Sequence, residues 1–358
     1  MRSSQHHFAA RGDAGRRILW VVGPALGHVS RCLAIARQLR TLHGIESSFA
    51  GADLHGYHAR LLGSEFELHP VECTRDQPER FGAAIQALVH RSRPTVVGFD
   101  CSPIPWRLAM PALPAATVCI SNHFLCLGTE ETLQDREWNG NRDAWSALRA
   151  RLRLPEVADA RGLYAADQLL FADPAAVVPA DMPANHHVVG ACTWAPGDPR
   201  PPARAAAPDV LFAALGSTGS AVPQRVIDRL AQICGASEVV RAGARSVDRD
   251  VPQAALVAGP SVLARSRLCL THGGSGSSYQ ALACGVPVAV WPGHRNHELL
   301  GRRIEASGLG VLLDRDDWMP GLERLASGFD AICARARQAT SDLAHGPSRA
   351  AGLIASLY

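Results

Sequence analysis

The sequence predicts an α/β protein made of two doubly wound, parallel-sheet domains, and three observations point there. A short apolar run, Ile18 to Val22, passes through Gly23-Pro24-Ala25-Leu26-Gly27-His28 into a stretch whose apolar positions Cys32, Leu33, Ile35, Ala36 and Leu39 recur at helical spacing. The same order of strand, glycine turn and helix returns at Val210 to Leu215, followed by Gly216-Ser217-Thr218-Gly219-Ser220. It returns once more at Leu268-Cys269-Leu270, where Thr271 closes a strand, Gly273, Gly274, Ser275 and Gly276 form a turn, and Ser277 and Ser278 open a helix. A chain of 358 residues has the length of about two domains that each bury a core.

The remaining elements fit between these units. The polar residues 1–15 read as a disordered N-terminus, and 16–195 as a first domain. Within it, strands are expected at Ser47 to Gly51, Thr95 to Asp100 and Ala116 to Ile120, and Tyr164 to Phe171 and Val188 to Gly190 finish the domain. Helical patterns lie near 53–62, 79–91, 105–110 and 143–152. Residues 196–208, PGDPRPPARAAAP, carry five prolines and no periodicity, which is the composition of a linker. The second domain, 209–340, adds a helix near 223–234, a strand at 238–241 and an apolar run at 254–258. After the Thr271 turn its helix stops at Gly285, a second apolar run extends from Val286 to Trp291, and a helix covers 299–306. A closing helix within 341–358 is expected to pack back on the first domain.

Composition removes several function classes. A net charge of +3 is small for this length, so neither a nucleic-acid partner nor an acidic membrane surface is implied. All 36 basic residues are arginine, which excludes a P-loop lysine, a pyridoxal Schiff base and a lysine nucleophile. The 10 cysteines are scattered through apolar stretches without CxxC spacing, and the 15 histidines show no HExxH pattern. They read as buried thiols in a reducing, cytoplasmic setting. No apolar run approaches the ~20 residues of a membrane span, and the N-terminus lacks the core of a signal peptide.

The chemistry concentrates at 271–297. A strand end, a small-residue turn and a helix N-terminus aim backbone N–H groups and the positive end of a helix dipole at an anion. Its glycines admit a phosphate close to the backbone and its hydroxyls add donors. The GxGxxG fingerprint is missing from the first unit, so a dinucleotide is not expected there. His28 sits at the carboxyl end of the first strand, where open α/β sheets place their ligands, and Asp100 closes another strand.

The segment resembles the donor signature of the family 1, UDP-dependent glycosyltransferases. That signature runs histidine, three variable residues, a small residue, Ser/Thr, two residues and Glu, then Gly-Val-Pro, Trp-Pro and an acidic residue with glutamine. The register here is unbroken: His272, Gly276, Ser277, Gln280, Gly285-Val286-Pro287, Trp291-Pro292 and Asn296-His297. Two positions depart from the pattern. Gln280 stands where the family has the glutamate that holds the ribose hydroxyls, and Asn296-His297 where it has the pair that grips the sugar. His28 is similar to the family's GHxxP or GHxxR histidine, in the form with Arg31.

The resemblance implies a GT-B fold, two Rossmann-like domains facing each other across a cleft, and an inverting, metal-independent transfer of a sugar. The donor would be a UDP- or dTDP-sugar, and the acceptor a hydroxyl of a small molecule, peptide or lipid. His28 would be the general base and Asp100 its partner. His272, Gly274, Ser275, Gly276, Ser277, Ser217 and Thr218 would hold the diphosphate, Gln280 the ribose, and Asn296 and His297 the sugar. Gly27, His123 and Phe124 would lie on the acceptor side. No cofactor or metal is expected, since the nucleotide-sugar is a substrate. Asp314-Arg315-Asp316 lies beyond the donor loop and reads as a solvated turn, not a metal-binding DxD. Two alternatives remain open at the level of sequence: a nucleotide-sugar hydrolase or epimerase on the same fold, and a non-catalytic nucleotide-sugar-binding subunit.

Overall fold

In a computed structural model, the structure describes residues 16–53, 56–72, 77–100, 109–122, 136–156, 164–178, 184–193, 203–216, 221–243, 259–339 and 345–358. They form two α/β units, each built on a parallel sheet. The first sheet has seven strands: β1 (Arg17–Val21), β2 (Glu46–Gly51), β3 (Glu67–Pro70), β4 (Val96–Asp100), β5 (Ala116–Ser121), β6 (Gln168–Phe171) and β7 (His186–Val188). Their spatial order is β3-β2-β1-β4-β5-β6-β7, so the direction of winding reverses between β1 and β4. The central strands are apolar on both faces because helices cover both. Val96, Val97, Gly98, Phe99 and Asp100 are all buried, as are Ile18, Leu19, Trp20 and Val21.

The helix α1 (Leu26–His43) follows β1 and buries Val29, Cys32, Leu33, Ile35, Ala36 and Leu39, the stripe expected from sequence. It stops at Gly44, whose φ of 62° permits paired bonds from Gly44 N to Arg40 O and from Ile45 N to Leu39 O. Helices α2 (Tyr57–Leu62), α3 (Pro78–Ser92) and α4 (Arg136–Arg151) follow in this unit, with a single 3-10 turn at Ala175–Val177. The strand β3 has no counterpart in the sequence reading. Its four residues, Glu-Leu-His-Pro, are partly exposed, carry no apolar run and end in a proline, as suits a sheet edge.

The second sheet has five strands, β8 (Val210–Ala214), β9 (Glu238–Ala242), β10 (Ser266–Thr271), β11 (Val288–Val290) and β12 (Gly310–Leu312). Their order is β12-β11-β10-β8-β9, with the winding reversed between β8 and β10. Around it lie α5 (Gln224–Cys234), α6 (Gly259–Leu263), α7 (Ser275–Ala283), α8 (Arg295–Ala306) and α9 (Met319–Gln338). The helix α7 starts two residues earlier than its serine pattern suggests. Gly274 is already extended (φ −69°, ψ 132°) and serves as the N-cap, while the Ser278 hydroxyl turns inward to Thr271 Oγ1 at 3.0 Å.

The described end of the proline-rich stretch is docked on the second unit. Arg204 donates from Nη1 to Gly285 O (2.8 Å) and Cys284 O (3.2 Å), and from Nη2 to Ser266 O (3.0 Å). Its guanidinium thus satisfies carbonyls at the C-terminal end of α7. The last helix, α10 (Gly346–Ala355), leaves the second unit and lies along α1. Ala350, Ala351 and Ile354 are fully buried in the same cluster as Ile18, Cys32, Leu33, Ile35 and Leu39. Among the described residues no helix is long and apolar enough to cross a membrane.

The buried contribution of α10 is measurable. Ile354→Ala removes a side chain with no exposed surface and should lower stability by about 2–4 kcal/mol. Urea unfolding followed by tryptophan fluorescence, which reports on the buried Trp20 of the same cluster, would show the lower midpoint.

Candidate functional site

Each sheet places its candidate residues where its winding reverses, the point at which open parallel sheets leave a crevice at their carboxyl ends. In the first unit, β1 leads to His28 and neighbouring β4 ends at Asp100. In the second, β8 leads to Gly216 and neighbouring β10 leads to His272.

His28 lies in the first turn of α1, with its side chain 24% exposed, and its Nδ1–H donates to Asp100 Oδ1. Asp100 has no exposed surface. Its other oxygen accepts two bonds from Arg31, from Nε at 3.0 Å and from Nη2 at 2.5 Å. The spacing of His28 and Arg31, three residues on one helix, turns both side chains to the same face and onto one carboxylate. Burial by itself would raise the Asp100 pKa. Arg31 and His28 outweigh it and hold the carboxyl well below its usual range. The carboxylate therefore stays ionised, and it fixes the imidazole with Nε2 as the remaining ring nitrogen. Just ahead of this pair, His58 Nε2 meets Gly23 O at 2.9 Å and secures the turn between β1 and α1.

In the second unit the turn after β10 is tied from within. Gly273 N donates to Thr271 Oγ1 at 3.2 Å, and Gly273 adopts φ 89°, open only to glycine at low cost. His272 is buried, with Nδ1 3.5 Å from Ala214 O. It occupies a slot between two glycines. A Cβ on Gly274 would stand 2.6 Å from His272 Nε2, and one on Gly216 at the same distance from that atom. These glycines therefore make room for a ring as well as for a turn. Burial is the main cause that lowers the His272 pKa, with His294 adding to it.

Gly274, Ser275, Gly276 and Ser277 form the cap and first turn of α7, with their backbone donors at its positive end. Gln280 lies one turn further along and packs against Gly259 at the start of α6, where a Cβ would collide with its Oε1. Asn296 and His297 lie in the first turn of α8. The His297 ring stacks on His294, with centroids 3.5 Å apart, and meets His272 edge-on at 4.6 Å. Burial first, then His272 and His294, lower the His297 pKa far below the imidazole range, so this ring is neutral. Sequence reading missed His294. A lone histidine between Gly293 and Arg295 has no pattern to mark it, and only the fold stacks it on His297.

The two sets meet. A Cβ on Gly276, at the start of α7, would lie 3.9 Å from the Cα of Gly27, which precedes His28 at the start of α1. Two helix N-termini from different sheets thus converge on the crevice that holds His28. Ser217, Thr218, His123 and Phe124 lie outside the described residues. Asp314 and Asp316 sit in an exposed bend, where Asp314 Oδ1 accepts from Asp316 N at 2.9 Å. Among the described residues no cluster of three or more His, Cys, Asp or Glu is arranged to hold a metal ion.

No family model matches the chain. It aligns over 96% of its length with the calicheamicin glycosyltransferase CalG4, at a TM-score of 0.70 and 21% identity, and covers 98% of that chain. The fold is GT-B. In sequence, the GT-B chain is 37% identical over 157 residues to a PGL/p-HBAD biosynthesis glycosyltransferase of Mycobacterium tuberculosis, a match covering 41% of this chain and 36% of that relative. It is also 33% identical over 189 residues to a PGL/p-HBAD biosynthesis rhamnosyltransferase of Mycobacterium bovis, covering 50% of this chain and 41% of that relative. The match thus spans less than half the length of these curated relatives. The resemblance to bacterial GT-B glycosyltransferases read from the sequence is borne out by both kinds of comparison.

The Asp100 environment predicts a pH signature. Because its folded pKa lies below the unfolded-chain value of about 4, its stabilising contribution is complete above that pH and shrinks as pH falls below it. Asp100→Asn leaves the buried Arg31 cation without its carboxylate and should cost about 3–5 kcal/mol at neutral pH. Urea midpoints measured from about pH 6 to about pH 3 should fall less steeply for the variant than for the parent protein.

Proposed function

We propose that this chain is an inverting, metal-independent glycosyltransferase that moves a sugar from a UDP- or dTDP-sugar to an acceptor hydroxyl. The observation that carries the reading is the convergence of α1 and α7: the His28–Asp100 pair stands at one helix start, beside a glycine-lined helix start suited to a diphosphate.

In this reading His28 Nε2 takes the proton from the acceptor hydroxyl as that oxygen attacks the anomeric carbon. Asp100, kept ionised by Arg31, holds Nδ1–H and stabilises the imidazolium that forms. The bond from the anomeric carbon to the diphosphate oxygen breaks on the opposite face, which inverts the centre. Negative charge grows on the leaving diphosphate. The backbone donors of Gly274 to Ser277, the Ser277 hydroxyl, His272 and the α7 dipole would receive it, a reading supported by the glycine-capped start of α7. These fixed donors supply the stabilisation that a cation supplies in other transferases. Ser217 and Thr218 complete the diphosphate set by resemblance, and His123 and Phe124 the acceptor side.

Gln280 would meet the ribose with a neutral amide, giving up a charge-assisted bond. Asn296 and the neutral His297 would face the sugar without a carboxylate, a surface suited to a donor with fewer hydroxyls to grip. The acceptor is a small molecule, peptide or lipid. A cytoplasmic location belongs to the same reading, supported by the described cysteines, which are mostly buried.

His28→Ala should abolish transfer while leaving the affinity for UDP or dTDP near that of the parent protein. A screen of UDP- and dTDP-sugars against phenolic acceptors, read by mass gain, checks the first part, and calorimetry the second. Product formed by the variant at the parent rate would remove His28 as the base. One of the two nucleotides should also raise the melting temperature by binding the folded state, and a flat response across both would contradict the donor site.

A further inference from the structure

The Asp100 carboxylate is the near end of a longer buried polar chain. Arg31, which grips Asp100 with Nε and Nη2, extends Nη1 to Asn122 Oδ1 at 3.2 Å. Asn122 in turn donates from Nδ2 to Asp173 Oδ1 at 2.8 Å. The same Asp173 oxygen accepts the phenol of Tyr279 at 2.5 Å. Arg31, Asn122, Asp173 and Tyr279 are between 0% and 6% exposed. The first three follow β1, β5 and β6 at the carboxyl edge of the first sheet, whereas Tyr279 stands on α7, the helix of the second sheet that begins at Gly274. The chain therefore crosses from one unit to the other and ends on the element whose first turn faces the anion site.

We propose that Tyr279, acting through Asp173, Asn122 and Arg31, is a positioning residue for His28, so that the support of the base is split between the two units. The proposal rests on the reading of His28 as general base and adds to it a group of the donor domain. Each link constrains the next. The Asn122 amide must present its oxygen to Arg31 and its nitrogen to Asp173, which fixes its flip. With Nη1 committed to Asn122, the guanidinium plane is set, and Nε and Nη2 meet a single oxygen of Asp100. That leaves Oδ1 for His28 Nδ1–H. Burial, with the Asp173 carboxylate next, raises the Tyr279 phenol well above its ordinary pKa, so it acts as a donor. If the units part, Tyr279 leaves Asp173 and the chain loses its far anchor. The base is then held in its working geometry only when α7 is in place.

Tyr279→Phe removes the hydroxyl and keeps the ring, and Arg31→Lys keeps the charge but not the fork. With UDP- and dTDP-sugar donors and 4-methylumbelliferone as the acceptor probe, Tyr279→Phe should lower kcat about tenfold with both KM values within about twofold. UDP or dTDP affinity by calorimetry should stay near the parent value, while the melting temperature should fall by a few degrees, because the buried Asp173 carboxylate loses one donor. Arg31→Lys should cost more, and the double variant no more than Arg31→Lys alone, since both cut one chain. A second readout needs no acceptor: in protein with 15N-labelled histidine, the downfield Nδ1–H proton of His28 should move upfield and exchange faster in both variants. Unchanged kcat together with an unchanged proton resonance in Tyr279→Phe, or losses that multiply in the double variant, would overturn the proposal. Should His28→Ala keep its turnover, the general-base reading itself falls. Should that variant be dead while Tyr279→Phe matches the parent in rate and resonance, only the positioning chain falls.

Discussion

A carboxylate with no contact to water is costly unless its charge is answered within bonding distance, and among the described residues Asp100 is answered by a guanidinium and by an imidazole. Both partners come from α1, and the carboxylate comes from the strand next to the one that α1 follows. The pairing is therefore a product of the winding: β1 and β4 become neighbours because β2 and β3 are laid down on the far side of β1. Moving His28 or Arg31 by one position would turn its side chain about 100° around the helix and leave Asp100 short of a partner. The geometry of this corner is thus specified by sheet order and helical phase together.

The second unit solves a different problem with similar topology. On the proposed reading its crevice has to accept charge, not hold it, and the described residues there carry few fixed charges of their own. Main-chain donors, hydroxyls and neutral imidazoles take their place. Glycine has two uses in this corner. At Gly273 it permits a positive φ, at Gly274 it leaves the space into which the His272 ring fits, and at Gly216, with φ 78°, it does both. A larger side chain at Gly274 would displace the imidazole, and one at Gly216 would strain the turn as well.

Much of this was legible in the sequence because the strands that carry the site are central and apolar on both faces. Runs such as Ile18 to Val22 and Thr95 to Asp100 announce themselves by composition; the first leads through a glycine turn to His28, and the second ends at Asp100. The 271–297 register was legible for a related reason: its small residues sit at fixed intervals, where Gly273 meets a positive φ and Gly274 makes room for a ring. What escaped were elements and contacts without a local pattern. The strand Glu67–Pro70 forms at a sheet edge where pairing, not hydrophobicity, selects it. Asp173 and the hydroxyl of Tyr279 acquire their partners only when distant segments meet. Residues 203–208 looked like free linker because proline and alanine show no period, yet Arg204 finds three carbonyls there.

The last helix crosses back to the first unit, so two strands of covalent chain join the domains, one between residues 193 and 203 and one between 339 and 345. The core of the first unit is therefore finished by the far end of the chain: without α10, Ile18, Cys32, Leu33 and Ile35 would lose the apolar cover that Ala350, Ala351 and Ile354 provide.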